Sequence, residues 1–168
     1  MTINTVSGRK LERFVLRPAV LADLPAVSET LIAAGVEEWG PWLGAERIAN
    51  QTTREHEWLA AGGLVVAEDA DGVAGFVRTE VDEDGNGWIE LLYTHPRVWG
   101  QGAGRALLRY GEDALRAAGC TTALLYTEER NARPRRVYEA AGWEPDGEVL
   151  ERDWQGARLR ELRYRRSL

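Results

Sequence analysis

The 168-residue chain has room for one domain with a sizeable core, and its composition, 44% hydrophobic and 29% charged, suits a soluble globular protein rather than a disordered or fibrous one. A net charge of −6 argues against general attraction to nucleic acid or to anionic membranes. One cysteine, Cys120, and two histidines, His56 and His95, are too few for an internal disulfide or a Cys/His metal site, so no metal is expected.

No apolar run approaches the ~18–20 residues of a membrane span, and the opening "MTINTVSGRKLERF" lacks an apolar signal core, so the expected location is cytoplasmic. Eight acidic residues and one arginine lie between Glu68 and Glu90, whereas Arg130 to Leu168 carries ten arginines against seven acidic residues. Both runs fit solvated faces; the asymmetry also fits a cationic ligand near the first and an anionic one near the second.

In chain order, Glu12 to Ala19 alternates as a first strand. Leu24, Val27, Leu31 and Ile32 have helical spacing, which predicts a helix stopping at Gly35. A tryptophan-bearing loop, "VEEWGPWLG", leads to a second predicted helix from Ala45 to Ala61, closed by Gly62 and Gly63. Three β-rich runs follow, "LVVAE", "VAGFVRTEV" and "WIELLYTHP", separated by "DADG" and "DEDGNG"; such clusters predict antiparallel hairpins. Ala103, Ala106, Leu107, Tyr110, Ala114 and Leu115 mark one face of a helix capped at Gly119. "TTALLYTEE" reads as a buried strand, Arg133 to Ala141 as a short helix ended by Gly142, and Trp143 to Asp153 and Arg158 to Arg165 as closing strands. The result is a mixed α/β chain forming a single domain over residues 1–168.

The stretch "THPRVWGQGAGRALL" sets Gly100, Gly102 and Gly104 between a strand and a helix. Glycines let successive N–H groups converge, and a helix start adds its positive dipole end, which together suit a phosphate or pyrophosphate. A P-loop would need a lysine, and none is near. A dinucleotide fingerprint, counted from Gly100 or Gly102, would put its third glycine at Arg105 or Leu107.

What the stretch resembles is the acetyl-CoA loop of the GCN5-related N-acetyltransferase (GNAT) family, a strand followed by [Q/R]-x-x-G-x-[G/A] opening a helix. Gly102-Ala103-Gly104 supplies the G-x-[G/A], while Trp99 stands where Gln or Arg is usual. A second stretch, "NARPRRVYEAAGW", resembles the family's N-x-x-A-x-x-[FL]-Y-E-x-x-G-[FW]. Asn131, Tyr138, Glu139, Gly142 and Trp143 match, with Pro134 and Val137 as substitutions. The element order agrees over about 12–165. The resemblance implies a GNAT fold, a central, mostly antiparallel, twisted sheet of about seven strands flanked by about four helices.

It also implies transfer of an acetyl group from acetyl-CoA to an amine, with no metal and no covalent enzyme intermediate. Tyr138 matches the general acid near the sulfur. Glu90 is a candidate base, since strand alternation would set it on one face with Trp88, Leu92 and Thr94; a solvent-facing glutamate at the sheet rim is the other reading. Main-chain groups of Leu92, Tyr93 and Thr94 would pair with the pantetheine. The amides of Gly100, Gln101, Gly102, Ala103, Gly104 and Arg105 would hold the pyrophosphate, and Asn131 would bond the pantetheine or position Tyr138. Acceptor choice would fall to the first two helices and their loop, where Glu37, Glu38, Trp39 and Trp42 suit a cationic amine. The acceptor would be a small-molecule or peptide amine. Homodimers are common among such proteins, although no residue here argues for one. The rival reading is a non-catalytic module of the same fold that binds or senses acyl-CoA.

Overall fold

The computed structural model describes residues 13–168, so Glu12, at the start of the first expected strand, lies outside them. Among the described residues, seven strands form one sheet in the order β1-β2-β3-β4-β5-β7-β6. They are β1 (Val15–Pro18), β2 (Leu64–Asp69), β3 (Gly72–Val81), β4 (Gly87–Thr94), β5 (Thr122–Glu128), β6 (Glu144–Trp154) and β7 (Ala157–Ser167). Every neighbouring pair is antiparallel except β4 with β5. The expected mixed α/β fold, with its middle meander and closing hairpin, is the one observed.

Helices cover both faces. On one, α4 (Ala103–Ala117) and α5 (Ala132–Ala140) enclose a core that includes Leu107, Leu115, Leu125, Tyr138 and Trp143. Each fully buried leucine there contributes about 1.5–3 kcal/mol. Gly111 lets α4 lie close on the sheet, since a Cβ at that position would meet the Ile89 side chain at 2.6 Å. On the other face, α1 (Leu24–Trp39) sets Leu24, Val27 and Leu31 against Leu64, Val66 and Phe76.

Two helix boundaries differ from the sequence expectation. Helix α1 passes through Gly35 and runs to Trp39, because this glycine serves close packing: a Cβ would meet Ile48 Cγ2 at 2.9 Å. The helix expected over 45–61 is two, α2 (Ala45–Ala49) and α3 (Glu55–Ala61). Between them the Thr53 hydroxyl hydrogen-bonds that of Ser28 on α1 at 2.8 Å, taking the side chain into a tertiary contact at the break.

What positions the site is the relation of β4 to β5. Parallel pairing lasts for two residue pairs, Gly87 with Ala123 and Trp88 with Leu124, and then stops. At that point β4 carries a bulge: Thr79 opposes Ile89 and Arg78 opposes Leu91, so Glu90 is the extra residue. A bulge bends its strand and adds twist, which accounts for the divergence beginning there.

The bulge also corrects the simple alternation. Ile89 and Leu92 pack with the α4-side core and Leu91 and Tyr93 with the α1-side core, and Glu90 pairs with Arg78, which opposes Leu91, so Glu90 falls on the face of Leu91 and Tyr93 rather than that of Leu92 and Thr94.

Candidate active site

The diverging strands open a cleft of about 470 Å³, walled by Trp88 to Thr94 of β4, Leu125 to Glu128 of β5, the end of α1 and the first turns of α5. Along β4, Leu92, Tyr93 and Thr94 pair with Val77, Phe76 and Gly75 of β3. Among the described residues, their opposite edge pairs with no strand.

At one end stands the start of α4. Gly100 has φ +73° and Gly102 has φ +93°, conformations that favour glycine, and a Cβ at either would project into open space. The helix ladder begins with the Ala106 amide donating to the Gly102 carbonyl. The amides of Gly102, Ala103, Gly104 and Arg105 have no main-chain acceptor among the described residues. Four free donors at a helix start make an anion cradle. Gln101 is committed elsewhere, its main-chain N–H donating to the Val98 carbonyl at 3.1 Å and its side-chain amide to the Arg97 carbonyl at 3.0 Å.

Trp99, the departure from the family pattern, donates its indole N–H to the Thr94 carbonyl at 3.0 Å and lies under the Arg133 guanidinium at 4.0 Å from the ring centre. Arg133 also bonds Glu38 at 2.9 Å, and the Trp39 indole donates to the Asn131 side-chain oxygen at 2.6 Å. The end of α1 and the start of α5 are thereby joined across a cleft that all four residues line.

Tyr138 is buried on the α4 side, yet lines the cleft. Burial pushes its hydroxyl above the ordinary value, with Tyr93 and Tyr164 acting in the same direction. The phenol therefore stays protonated, the state a proton donor needs. Helix α5 is held by the rest of its motif. Gly142 turns with φ +85°, and the Trp143 indole donates to the buried Glu112 carboxylate of α4 at 2.7 Å.

Glu90 lines the cleft and is exposed; instead of apolar neighbours it has an ion pair with Arg78, whose own side chain is buried and also bonds Glu80. Among the acceptor-loop candidates, Glu38 and Trp39 reach the cleft. Glu37 is exposed and outside the cleft wall, and Trp42 packs with Leu43, Ile48 and Leu159 while Arg130 covers its ring at 4.4 Å. Cys120 is buried in the α4-side core.

Trp58, Tyr126, Glu128, Arg152 and Glu161 also line the cleft, outside both sequence motifs. Trp88 and Tyr126 stack at 5.7 Å where the two strands separate. The period-two series Leu124, Tyr126, Glu128 on β5 was the available signal for Glu128.

A splayed β4–β5 cleft ending at a glycine-lined helix start defines an acyl-CoA-binding architecture. The family model described as the acetyltransferase (GNAT) family matches residues 32–143, and the chain belongs to that family. It is 34% identical over 113 residues to a protein named mycothiol acetyltransferase from Saccharopolyspora erythraea, an alignment covering 64% of this chain and 37% of the relative. The chain thus spans little more than a third of the length of such curated relatives. Among solved structures, PaiA N-acetyltransferase from Thermoplasma acidophilum in complex with coenzyme A aligns with TM-score 0.74 at 15% identity, over 92% of this chain and 99% of that one. Ribosomal-protein-alanine N-acetyltransferase from Brucella melitensis aligns with TM-score 0.74 at 22% identity, over 92% and 99%.

Proposed function

We propose that the chain is an N-acetyltransferase that moves the acetyl group of acetyl-CoA to a primary amine by direct attack. The observation that carries this is a single cleft with free helix-start amides at one end and the buried Tyr138 phenol on its wall. The cradle fits a pyrophosphate on its own geometry: amides of Gly102 to Arg105 without acceptors, and open space above Gly100 and Gly102. When bound, acetyl-CoA supplies a thioester activated toward amine attack.

The chain's residues do the rest. The amides of Gly102 to Arg105 hold the pyrophosphate, with Gly100 leaving the approach open, and the free edge of Leu92, Tyr93 and Thr94 pairs with the pantetheine amides as an added strand would. Asn131 orients that arm from the start of α5. Tyr138 gives its proton to the departing sulfur. The β4 carboxylate expected as base, Glu90, enters the reaction already paired with Arg78. The acceptor end, with Glu38, Trp39, Trp58 and Trp88, suits an ammonium next to aromatic faces. The name mycothiol acetyltransferase, carried by relatives of this chain, supports a small-molecule amine as the acceptor, with a peptide amine as the other class.

The test is release of CoA thiol from acetyl-CoA by the purified chain with polyamines, aminoglycosides, amino acids and short peptides. Amine-dependent release supports the reading and gives the acceptor class. Acetyl-CoA binding without release across the panel favours the non-catalytic module.

A further inference from the structure

We propose that Glu128, at the end of β5, is the base that removes a proton from the acceptor ammonium; this rests on the acetyl-transfer reading above. Five carboxylates line the cleft among the described residues: Glu38, Glu80, Glu90, Glu128 and Glu161. Four have an arginine at 3.0 Å or closer. Glu38 bonds Arg133 at 2.9 Å, Glu161 bonds Arg152 at 2.6 Å, and Glu80 and Glu90 share Arg78. Glu128 is 1% exposed, and its arginine contact is the longest of the five. It accepts from the Arg130 main-chain N–H at 2.6 Å, and the Arg130 guanidinium, drawn over the Trp42 ring, stays 3.4 Å away.

The sheet places this carboxylate opposite the acid. Glu128 pairs in register with Glu161, and Leu159, two residues before Glu161, packs with the Trp39, Trp42 and Ile48 side of the molecule. Glu128 therefore faces the α1 side, where the acceptor candidates lie. Tyr138 belongs to the opposite, α4-side core and reaches the same opening. Proton removal and proton donation come from the two faces of one splayed sheet.

Burial pushes the Glu128 carboxyl above its ordinary value; Glu129 and Glu161 act in the same direction, while the Arg130 N–H and guanidinium oppose them. The remaining charged groups lining this cleft, Glu38, Arg54, Glu80, Glu90, Arg133 and Arg152, are themselves paired.

The acceptor enters as an ammonium. A Glu128 oxygen takes one of its protons and later passes it to solvent. The freed nitrogen lone pair bonds to the thioester carbonyl carbon, and the carbon–sulfur bond breaks with its electron pair leaving on sulfur. Sulfur takes the Tyr138 hydroxyl proton, and a second proton lost from nitrogen restores the phenol. The sum is one amide, one free thiol and one released proton.

The test compares the parent chain, E128Q and E90Q in amine-dependent thiol release across pH, with acetyl-CoA affinity measured alongside. Gln keeps the oxygen that accepts from Arg130. The expected result is a fall in kcat/KM on the order of 10²-fold for E128Q at neutral pH with acetyl-CoA affinity retained. The parent's acid limb, lying above the ordinary carboxylate range, disappears. The E128Q rate then climbs about tenfold per pH unit toward the amine's own pKa, because an amine already neutral needs no base.

A parent that binds acetyl-CoA but transfers to no amine removes the transferase reading and the proposal with it. A transferring parent with E128Q within about threefold of it and the same acid limb overturns the proposal alone. So does an acid limb lost in E90Q and kept in E128Q. Should E128Q not fold, Glu128→Asp decides: the limb kept with about tenfold lower rate supports the assignment, and a parent-like rate overturns it.

Discussion

The Tyr164 hydroxyl donates to Glu139 Oε1 at 2.7 Å and accepts from Arg135 Nε at 3.0 Å, so one side chain of β7 ties two turns of α5 to the sheet. The glutamate of the Tyr-Glu pair in the second motif thus holds the helix, while its neighbour Tyr138, whose ring lies 6.0 Å from that of Tyr164, faces the cleft. Tyr164→Phe removes both bonds and should cost about 1–2 kcal/mol in urea unfolding. It should lower kcat while leaving acetyl-CoA affinity in place, because Tyr138 loses its aim and the glycine cradle is untouched. Unchanged stability and unchanged kcat together would contradict this role.

Tyr138→Phe keeps the buried ring and removes only the proton. The expected effect is a fall in kcat on the order of 10²-fold, with acetyl-CoA affinity within about twofold of the parent. Steady-state kinetics and calorimetry read the two quantities separately. A rate equal to the parent's would take the acid role away from this phenol.

Gly102 combines a left-handed backbone with open space where a side chain would project. Gly102→Ala should cost about 1–2 kcal/mol of stability from backbone strain alone. Gly102→Glu should also abolish acetyl-CoA binding, since it sets a negative charge in the cradle. Calorimetric affinity retained in the Glu variant would move the pyrophosphate elsewhere.

The Arg17 guanidinium holds the Asp23 carboxyl below its ordinary value, and Arg97 does the same for Asp69. The unfolded chain then binds these protons more readily, so the stability the pairs contribute is present above the ordinary carboxylate range and is lost as pH falls through the lowered folded values. The melting temperature should hold down to about pH 5 and decline below about pH 4. Asp23→Asn should lower it at neutral pH and narrow that decline. Glu128 has the opposite sign. Its raised folded value means stability present below the ordinary range and lost as pH rises, so E128Q should melt higher than the parent at neutral pH, the gain vanishing in acid.

The strands were legible because their turn chemistry is explicit: "DADG" and "DEDGNG" fall between β2, β3 and β4, and Gly119 and Gly142 close α4 and α5. The anion end was legible for the same reason, since positive φ and free amides leave a mark in composition. The catalytic faces were not. Glu90 changed face through a bulge that no local pattern announces, and its partner Arg78 comes from the neighbouring strand. The burial of Glu128 follows from pairing with β7, more than thirty residues further along the chain. Gly35 read as a stop because sequence shows what a glycine permits, while its reason here is the Ile48 side chain packed against it.

The most direct measurement follows isotopically labelled acetyl-CoA through single turnover with an amine that supports thiol release. The account predicts label on the amine nitrogen, one for each thiol freed, with none on the protein at any time. Thiol release with the label as free acetate, or label held on the protein before the amine receives it, would contradict direct transfer.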